Sequence, residues 1–141
     1  MSSKKVMTSI NLFQDLLSVI VPESLSDFLL SGVKEYKDRI EFRLEEKESN
    51  IPSCFSSTDN VVLDGFCNPV ELQSFPLKDK PVFYKVYRRR WKLANEDKHV
   101  SNSYSLHPEG VKATHEFAAF LKEEVGCSLG EYNSLWGFFT D

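Results

Sequence analysis

The chain has 141 residues, of which 41% are hydrophobic and 27% charged, and its formal net charge is −4. This composition is typical of one globular domain with an apolar core, and it argues against a disordered chain and against general nucleic-acid binding. Three widely spaced cysteines do not match a zinc site, and we find no signal peptide or membrane-spanning run, so we expect a cytoplasmic protein with no metal or cofactor.

The first predicted element is a helix, because apolar residues recur at helical spacing between a possible cap at Thr8 and Ser9 and a break at Pro22. Its apolar stripe consists of Ile10, Phe13, Leu16, Leu17 and Ile20. Residues 24–30 are predicted as a second, short helix that Gly32 ends. Its inward-facing residues are Leu25, Phe28 and Leu29. We expect the two helices to form a hydrophobic cap on a sheet, and dimerisation through them is the alternative.

Alternating apolar and polar residues then predict a set of short strands. They cover residues 33–36, 39–44, 61–63, 70–75, 82–87 and 99–106, separated by turns at residues 37–38, 64–65, 68–69, 78–80 and 95–98. Residues 49–60 form a loop. The candidate core of the resulting antiparallel meander is Phe66, Val70, Leu72, Phe75, Val82, Tyr84 and Val86, and the predicted strand at residues 39–44 buries Ile40, Phe42 and Leu44.

Two neighbouring acids, Glu45 and Glu46, follow one of these strands. Carboxylates in pairs can hold a metal ion, but no third ligand has a defined position here. We therefore expect a solvated strand end rather than a metal site.

The clearest predicted helix covers residues 111–125, and residues 127–141 are either one more short helix or the remnant of a longer element. The apolar stripe of the long helix consists of Phe117, Phe120, Leu121 and Val125. Together the elements predict one α+β domain over residues 1–141. It comprises a helical cap at residues 8–31, antiparallel strands at residues 32–106 and a helical segment at residues 111–139.

The stretch most indicative of function covers residues 74–93, where a turn leads into a strand that ends in three consecutive arginines. Residues 80–98 hold seven Lys or Arg and two acids, a net charge of +5 on an otherwise acidic chain. Aromatic residues between cations suit a surface that tracks a nucleic-acid backbone, although a strand with a solvated polar end has the same pattern. The candidate DNA-binding residues are Lys78, Lys85, Tyr87, Arg88, Arg89, Arg90, Trp91 and Lys92.

The order of these motifs resembles the N-terminal region, encoded by a short first reading frame, of bacterial insertion-sequence transposases of the ISAon type. The matching motifs span residues 8 to about 124 and include residues 12–28, 44–47, 65–66, 74–76, 87–91, 101–106 and 114–123. The most specific are the run from Phe75 to Arg90 and the helix that reads FAAFLKE. The turn, strand and arginines also resemble the zinc-ribbon head of larger DDE transposases, but the Cys pair is missing, and Ser74 replaces an acid of the family.

The resemblance implies a non-catalytic transposase subunit that binds duplex DNA at terminal inverted repeats and passes it to a separately encoded DDE nuclease. A homodimer is one arrangement that it allows. The arginines and Lys92 would contact phosphates, Lys78 and Lys85 would extend the basic stripe, and Tyr87 and Trp91 would support the arginines or touch sugar and base. Relatives continue after residue 124 into a helix-turn-helix-like piece, which is short and divergent here.

Two other classes of function stay open at this point. The basic strand of an interaction module would dock on an acidic partner without contacting DNA. An enzyme is the less favoured class, because the acids fall on turns and strand ends, no alternation of strands and helices is visible, and no Gly-x-Ser-x-Gly motif occurs.

Overall fold

A computed structural model describes the backbone of residues 2–138 and the side chains of residues 11–138. The helices and strands are, in chain order, α1 (Ser2–Ile20), β1 (Phe28–Glu35), β2 (Ile40–Glu46), β3 (Val61–Phe66), β4 (Val70–Leu77), β5 (Lys80–Tyr87), β6 (Arg89–Leu93), α2 (His115–Phe120) and α3 (Leu129–Leu135). A 3-10 turn, Glu23–Leu25, precedes β1, and a π-helical turn, Leu121–Val125, continues α2.

The strands form two sheets. Four of them pair in the order β1-β2-β5-β4, and β3 pairs with β6 in a separate two-stranded sheet. Neighbouring strands are antiparallel except β2 and β5, which run parallel with Ile40 opposite Val82. The predicted α+β class is confirmed. The connectivity is not that of a meander, because the chain forms β3 and β4 before β5 returns to lie between β2 and β4.

The main hydrophobic cluster lies on one face of the four-stranded sheet. Its buried members are Leu25, Phe28, Ile40, Phe42, Leu44, Leu72, Val82, Tyr84, Val86 and Leu106. The predicted alternation in β2 and β5 is therefore confirmed. Three members of the predicted core are less buried: Phe66 and Val70 are half-buried, and Phe75 is exposed. Phe75 instead packs edge-on against the ring of Phe117 in α2, with 5.1 Å between centroids.

Helix α1 starts earlier than the predicted cap at Thr8 and Ser9, and it ends at Ile20 just before Pro22, as predicted. Its predicted apolar stripe is mostly uncovered. Phe13 and Leu16 are exposed, Leu17 is half-buried, and Ile20 packs against the main cluster. Ile10 lies outside the residues whose side chains are described.

The helix predicted at residues 24–30 is wrong beyond its first turn. The 3-10 turn buries Leu25, and the chain enters β1 at Phe28, because this segment pairs with β2 and places Leu30 opposite Leu44. Leu29 is exposed on the other face of the strand. Gly32 does not end a helix but follows an irregularity in the β1–β2 pairing.

Residues 111–125 are helical only from His115, where the Thr114 hydroxyl accepts a hydrogen bond from the Phe117 N–H and caps α2. The residues before it are extended, and Ala113 forms a parallel bridge with Gln73 at the edge of β4. A second cluster of buried residues, Ala113, Phe117, Leu121 and Tyr132, joins α2 to α3. Phe120 and Val125, two members of the predicted apolar stripe, are exposed.

Candidate nucleic-acid interface

The strand predicted to run through the arginines is interrupted at Arg88. β5 ends at Tyr87 in the four-stranded sheet, and β6 begins at Arg89 in the two-stranded sheet. At the break, the Cys67 N–H donates to the Arg88 carbonyl at 2.9 Å, and the Arg88 Nη1 donates to the Asn102 carbonyl at 2.9 Å. The predicted partner strand at residues 99–106 is reduced to one bridge between Trp91 and Val100.

Arg89 is held by groups of the protein itself. Its Nε donates to the Glu46 carbonyl at 2.6 Å, and its guanidinium lies 3.7 Å from the Glu45 carboxylate and 3.8 Å from that of Glu48. The guanidinium also lies 4.9 Å from the centre of the Phe66 ring. With 14% of its side chain exposed, Arg89 has little surface to offer a ligand.

Glu46 lies at the centre of this arrangement and is fully buried. Its carboxylate accepts hydrogen bonds from the backbone N–H of Arg89 at 2.8 Å, the side-chain amide of Asn102 at 2.7 Å and the Tyr104 hydroxyl. Burial, and then the bond to Glu46, raises the pKa of Tyr104 to about 12, so the hydroxyl stays protonated as a donor. The expected solvated strand end is wrong for Glu46. The alternation of Ile40, Phe42 and Leu44 already placed residue 46 on the buried face.

Arg90 and Lys92 alternate with Trp91 and therefore lie on the opposite face of β6. The Arg90 Nε donates to the Asp64 carbonyl at 3.0 Å, and Asp64 also contacts the His99 ring. The hydrogen bond from His99 holds the pKa of Asp64 below its ordinary value, and the charges of His99, Lys92 and Arg90 add to the effect. Two permanent cations thus lie on the same face as one carboxylate, which leaves this face of the small sheet with a net positive charge.

Gly65 makes room for this arrangement. Its φ is +78°, a left-handed conformation that side chains disfavour, and a Cβ at this position would lie 3.3 Å from Arg90 Nη2. The glycine therefore lets the β3 backbone approach the Arg90 guanidinium closely.

Trp91 is 3% exposed and belongs to the interior side of β6. Its position suits a support for the strand and does not permit contact with a nucleic acid.

Tyr87 and Lys85 belong to a different surface, the outer face of the four-stranded sheet. The Arg43 guanidinium lies 3.8 Å from the centre of the Tyr87 ring, and the Lys85 Nζ lies 3.5 Å from the Glu41 carboxylate. Together with Lys34 these residues line an open concavity of about 280 Å³. Each cation here has an aromatic or acidic neighbour.

Lys78 lies at the far end of β5, in the turn that joins β4 to β5, where its Nζ pairs with the Glu35 carboxylate at 2.9 Å. The eight residues of β5 span roughly 23 Å at about 3.3 Å per residue. The eight predicted DNA-binding residues therefore do not form one stripe. Arg90 and Lys92 lie on one face of β6, Lys85 and Tyr87 lie on the outer sheet face, and Lys78 lies in the remote turn. The other three residues, Arg88, Arg89 and Trp91, are hydrogen-bonded or buried within the protein itself.

The C-terminal segment has the shape of a helix, a turn and a second helix. Gly126, with φ of +74°, ends the π-helical turn, and Ser128 and Glu131 form a reciprocal capping box at the start of α3. Residues 115–135 carry four acids and one lysine, so this unit does not provide a phosphate-binding surface.

Comparisons with protein-family models, with curated proteins and with solved structures find no match to this chain. In the described part of the chain, no three metal-ligating side chains lie close enough to hold an ion. Among those same residues, no helix is long and apolar enough to cross a membrane.

Proposed function

We propose that this chain is a non-catalytic DNA-binding and assembly subunit of a bacterial insertion-sequence transposase. It would work in the cytoplasm, recognise the terminal inverted repeats of its element, and pass them to a separately encoded DDE nuclease. Two things support the proposal: the resemblance of the sequence motifs, and the cationic face that Arg90 and Lys92 form on the small sheet. The cationic face is the observation on which the proposal mainly rests.

The phosphate contacts belong to Arg90 and Lys92, with Arg88 at the edge of the same region. Asp64 holds Arg90 through its backbone carbonyl, which leaves most of the guanidinium donors for a phosphate. Arg88 uses one nitrogen on Asn102, and its side chain is half-buried rather than enclosed. Phosphate contacts of this kind supply affinity and position, whereas base contacts specify sequence.

Arg89, Trp91 and Tyr87 take supporting parts in this proposal. Arg89 and Trp91 hold β6 in place, and Tyr87 packs beneath Arg43. Lys85 and Lys78 are too far along β5 to join the same short stretch of backbone unless the duplex crosses the outer face of the sheet. The proposed phosphate-binding surface therefore contains fewer residues than the eight that the sequence pattern predicted.

A second candidate is a protein-interaction module in which the same face docks on an acidic partner, for example the catalytic subunit. The internal acceptors of Arg88 and Arg89 favour it, because a protein partner requires fewer free cations than the phosphate backbone of DNA does. The net charge of −4 favours it as well, since the rest of the surface repels densely charged DNA more strongly than it repels a protein.

Fluorescence anisotropy with two labelled duplexes tests the proposal: one is the inverted repeat that flanks the gene, the other a scrambled sequence. The double variant Arg90→Ala/Lys92→Ala is compared with Lys34→Ala/Lys37→Ala, which removes the same charge from the β1–β2 hairpin. For contacts by Arg88, Arg90 and Lys92 we expect a log–log salt slope of about −3, at roughly 0.9 per contact.

We expect the β6 variant to flatten that slope by about two and the hairpin control to leave it unchanged. Equal slopes for the two variants would refute the assignment to β6. If the wild-type chain binds neither duplex but retains a purified catalytic subunit in a Lys92-dependent manner, the protein-docking function replaces the DNA-binding one.

A further inference from the structure

Helix α1 presents an apolar face that no other described residue covers. Of residues 11–20, only Leu17 and Ile20 are even partly buried. The exposed apolar side chains are Leu12 (69% exposed), Phe13, Leu16 and Val19 (81% exposed). Isolated helices are marginal in water, and most helical stability in proteins comes from packing of an apolar face. The face of α1 therefore requires a partner.

Two apolar clefts flank the base of the helix. One has a volume of about 310 Å³ and lies between Val19 and the β4–β5 hairpin, with Phe75 and Leu77 at its rim. The other has a volume of about 440 Å³ and lies on the opposite side, between Leu17 and Leu29. The rim residues Phe75, Leu77 and Leu29 are themselves exposed. Apolar residues of α1 and of the body of the protein thus line both clefts together.

We propose that a second copy of this chain covers this surface, so that α1 of each molecule packs along α1 of the other and enters the cleft at its base. The helix cannot fill the clefts of its own molecule, because the Val21 N–H continues the helical bonding to Leu17 and Pro22 fixes the exit of the chain. In a two-fold symmetric dimer the face of α1 and the clefts at its base are covered at once, because each copy supplies one helix and one set of clefts.

Charge and area favour a second copy over other occupants. The exposed apolar residues of the face, Leu12, Phe13, Leu16 and Val19, carry no charge, so the face offers nothing to an acidic partner. The charges of α1 are Lys4 and Lys5 in its first turns and Asp15, and they nearly cancel. A stable interface buries on the order of 800 Å² per partner, more than four side chains provide. The clefts at the base add apolar area to that of the helix.

Analytical ultracentrifugation of the full chain without DNA tests the proposal independently of DNA binding. The variant is Leu12→Gln/Leu16→Gln, which keeps good helix formers in α1. The matched control is Ile51→Gln/Leu135→Gln, which replaces two equally exposed apolar residues outside the helix. We expect a wild-type dimer, an unchanged control, and a dissociation constant raised about 100-fold in the α1 variant, at roughly tenfold per buried leucine.

Photocrosslinking locates the contact. With Phe13→p-benzoylphenylalanine and a mixture of light and ¹⁵N-labelled chains, we expect mixed-label crosslinks to residues 11–30 or 74–84. A monomeric wild type at 100 μM, equal dissociation constants for the two variants, or crosslinks confined to other segments would each overturn the proposal. Sedimentation of a monomeric wild type with phosphatidylcholine–phosphatidylglycerol vesicles would also overturn it and assign α1 to a lipid surface.

Discussion

The backbone N–H of Arg89 donates a 2.8 Å hydrogen bond to the Glu46 carboxylate, while the Arg89 Nε donates a 2.6 Å hydrogen bond to the Glu46 carbonyl oxygen. The last residue of β2 and the first residue of β6 are thereby joined twice. Because the same carboxylate accepts from Asn102 and Tyr104, it connects both sheets to the segment that follows β6. The start of the arginine run is therefore fixed by a buried acid.

Replacing this acid should destabilise the protein strongly. Glu46→Ala removes the acceptor of three partly buried donors, of which the Asn102 amide keeps its bond to the Asn50 carbonyl. We expect a loss of about 3 kcal/mol in the free energy of unfolding, measured by urea titration. Glu48→Ala, which removes an exposed carboxylate near Arg89, serves as the control and should change stability by less than about 0.5 kcal/mol. Similar losses in the two variants would show that the buried network contributes little.

The two phenylalanines of α2 should respond differently to truncation. Phe117 is 0% exposed and lies in the second hydrophobic cluster, so we expect Phe117→Ala to cost about 3–5 kcal/mol. Phe120 is 36% exposed and meets the half-exposed Phe75, so we expect Phe120→Ala to cost about 1 kcal/mol or less. Chemical denaturation of both variants checks the difference, and equal losses would mean that Phe120 is covered in solution.

The sequence predicted the interior of the sheet well, because the alternation in β2 and β5 is local and has one explanation. It failed where a distant partner decides the structure. Leu25, Phe28 and Leu29 fit a helix as well as a strand, and only the pairing of Leu30 with Leu44 selects the strand. No local feature of the sequence indicates the parallel pairing of β2 with β5 either.

The sequence indicated which residue types make up the candidate site, but it did not indicate how they are arranged in space. The run of three arginines indicated a cationic region, but a period of two could not show that the strand breaks at Arg88 and enters another sheet. It also could not show that Arg89 faces a buried acid, because the acid lies 43 residues away in the chain. Sequence spacing gives the face of a residue only while its strand continues.

Acid should weaken the contact between the N-terminal segment and α2. Burial alone would raise the pKa of Glu116, but the Ser24 hydroxyl and the Ser24 N–H both donate to its carboxylate, at 2.6 and 2.9 Å, and the pKa lies below the ordinary value of 4.5. A lowered folded-state pKa stabilises the fold above the unfolded value, and this contribution disappears as the pH falls through the folded value.

The variant Glu116→Gln should therefore be less stable than wild type by about 1 kcal/mol at pH 7. We expect the difference to shrink as the pH falls through the folded-state pKa of Glu116, where the wild-type carboxyl also becomes neutral. Denaturation at pH 7 and at a series of lower pH values measures it, with the exposed Glu109→Gln as the control. A difference that stays the same over the whole pH series would mean that the charge of Glu116 contributes nothing.

Within the arginine run, variants of Arg89 best distinguish a role in stabilising the fold from a role in binding DNA. The shape of its guanidinium matters to the fold, because Nε donates to the Glu46 carbonyl while Nη2 lies near both Glu45 and Glu48. Arg89→Lys keeps the charge and loses that geometry, whereas Arg89→Met keeps much of the stem and loses the charge. We expect both variants to lose about 2–3 kcal/mol of stability, since each leaves the Glu46 carbonyl without its charged donor.

At a temperature where both variants remain folded, we expect neither to change the salt slope of DNA binding, in contrast to Arg90→Ala/Lys92→Ala. Circular dichroism of the same samples confirms the folded fraction. If Arg89→Lys binds DNA like wild type while Arg89→Met flattens the slope by about one, Arg89 contacts phosphate directly and the division of the arginine run proposed above is wrong.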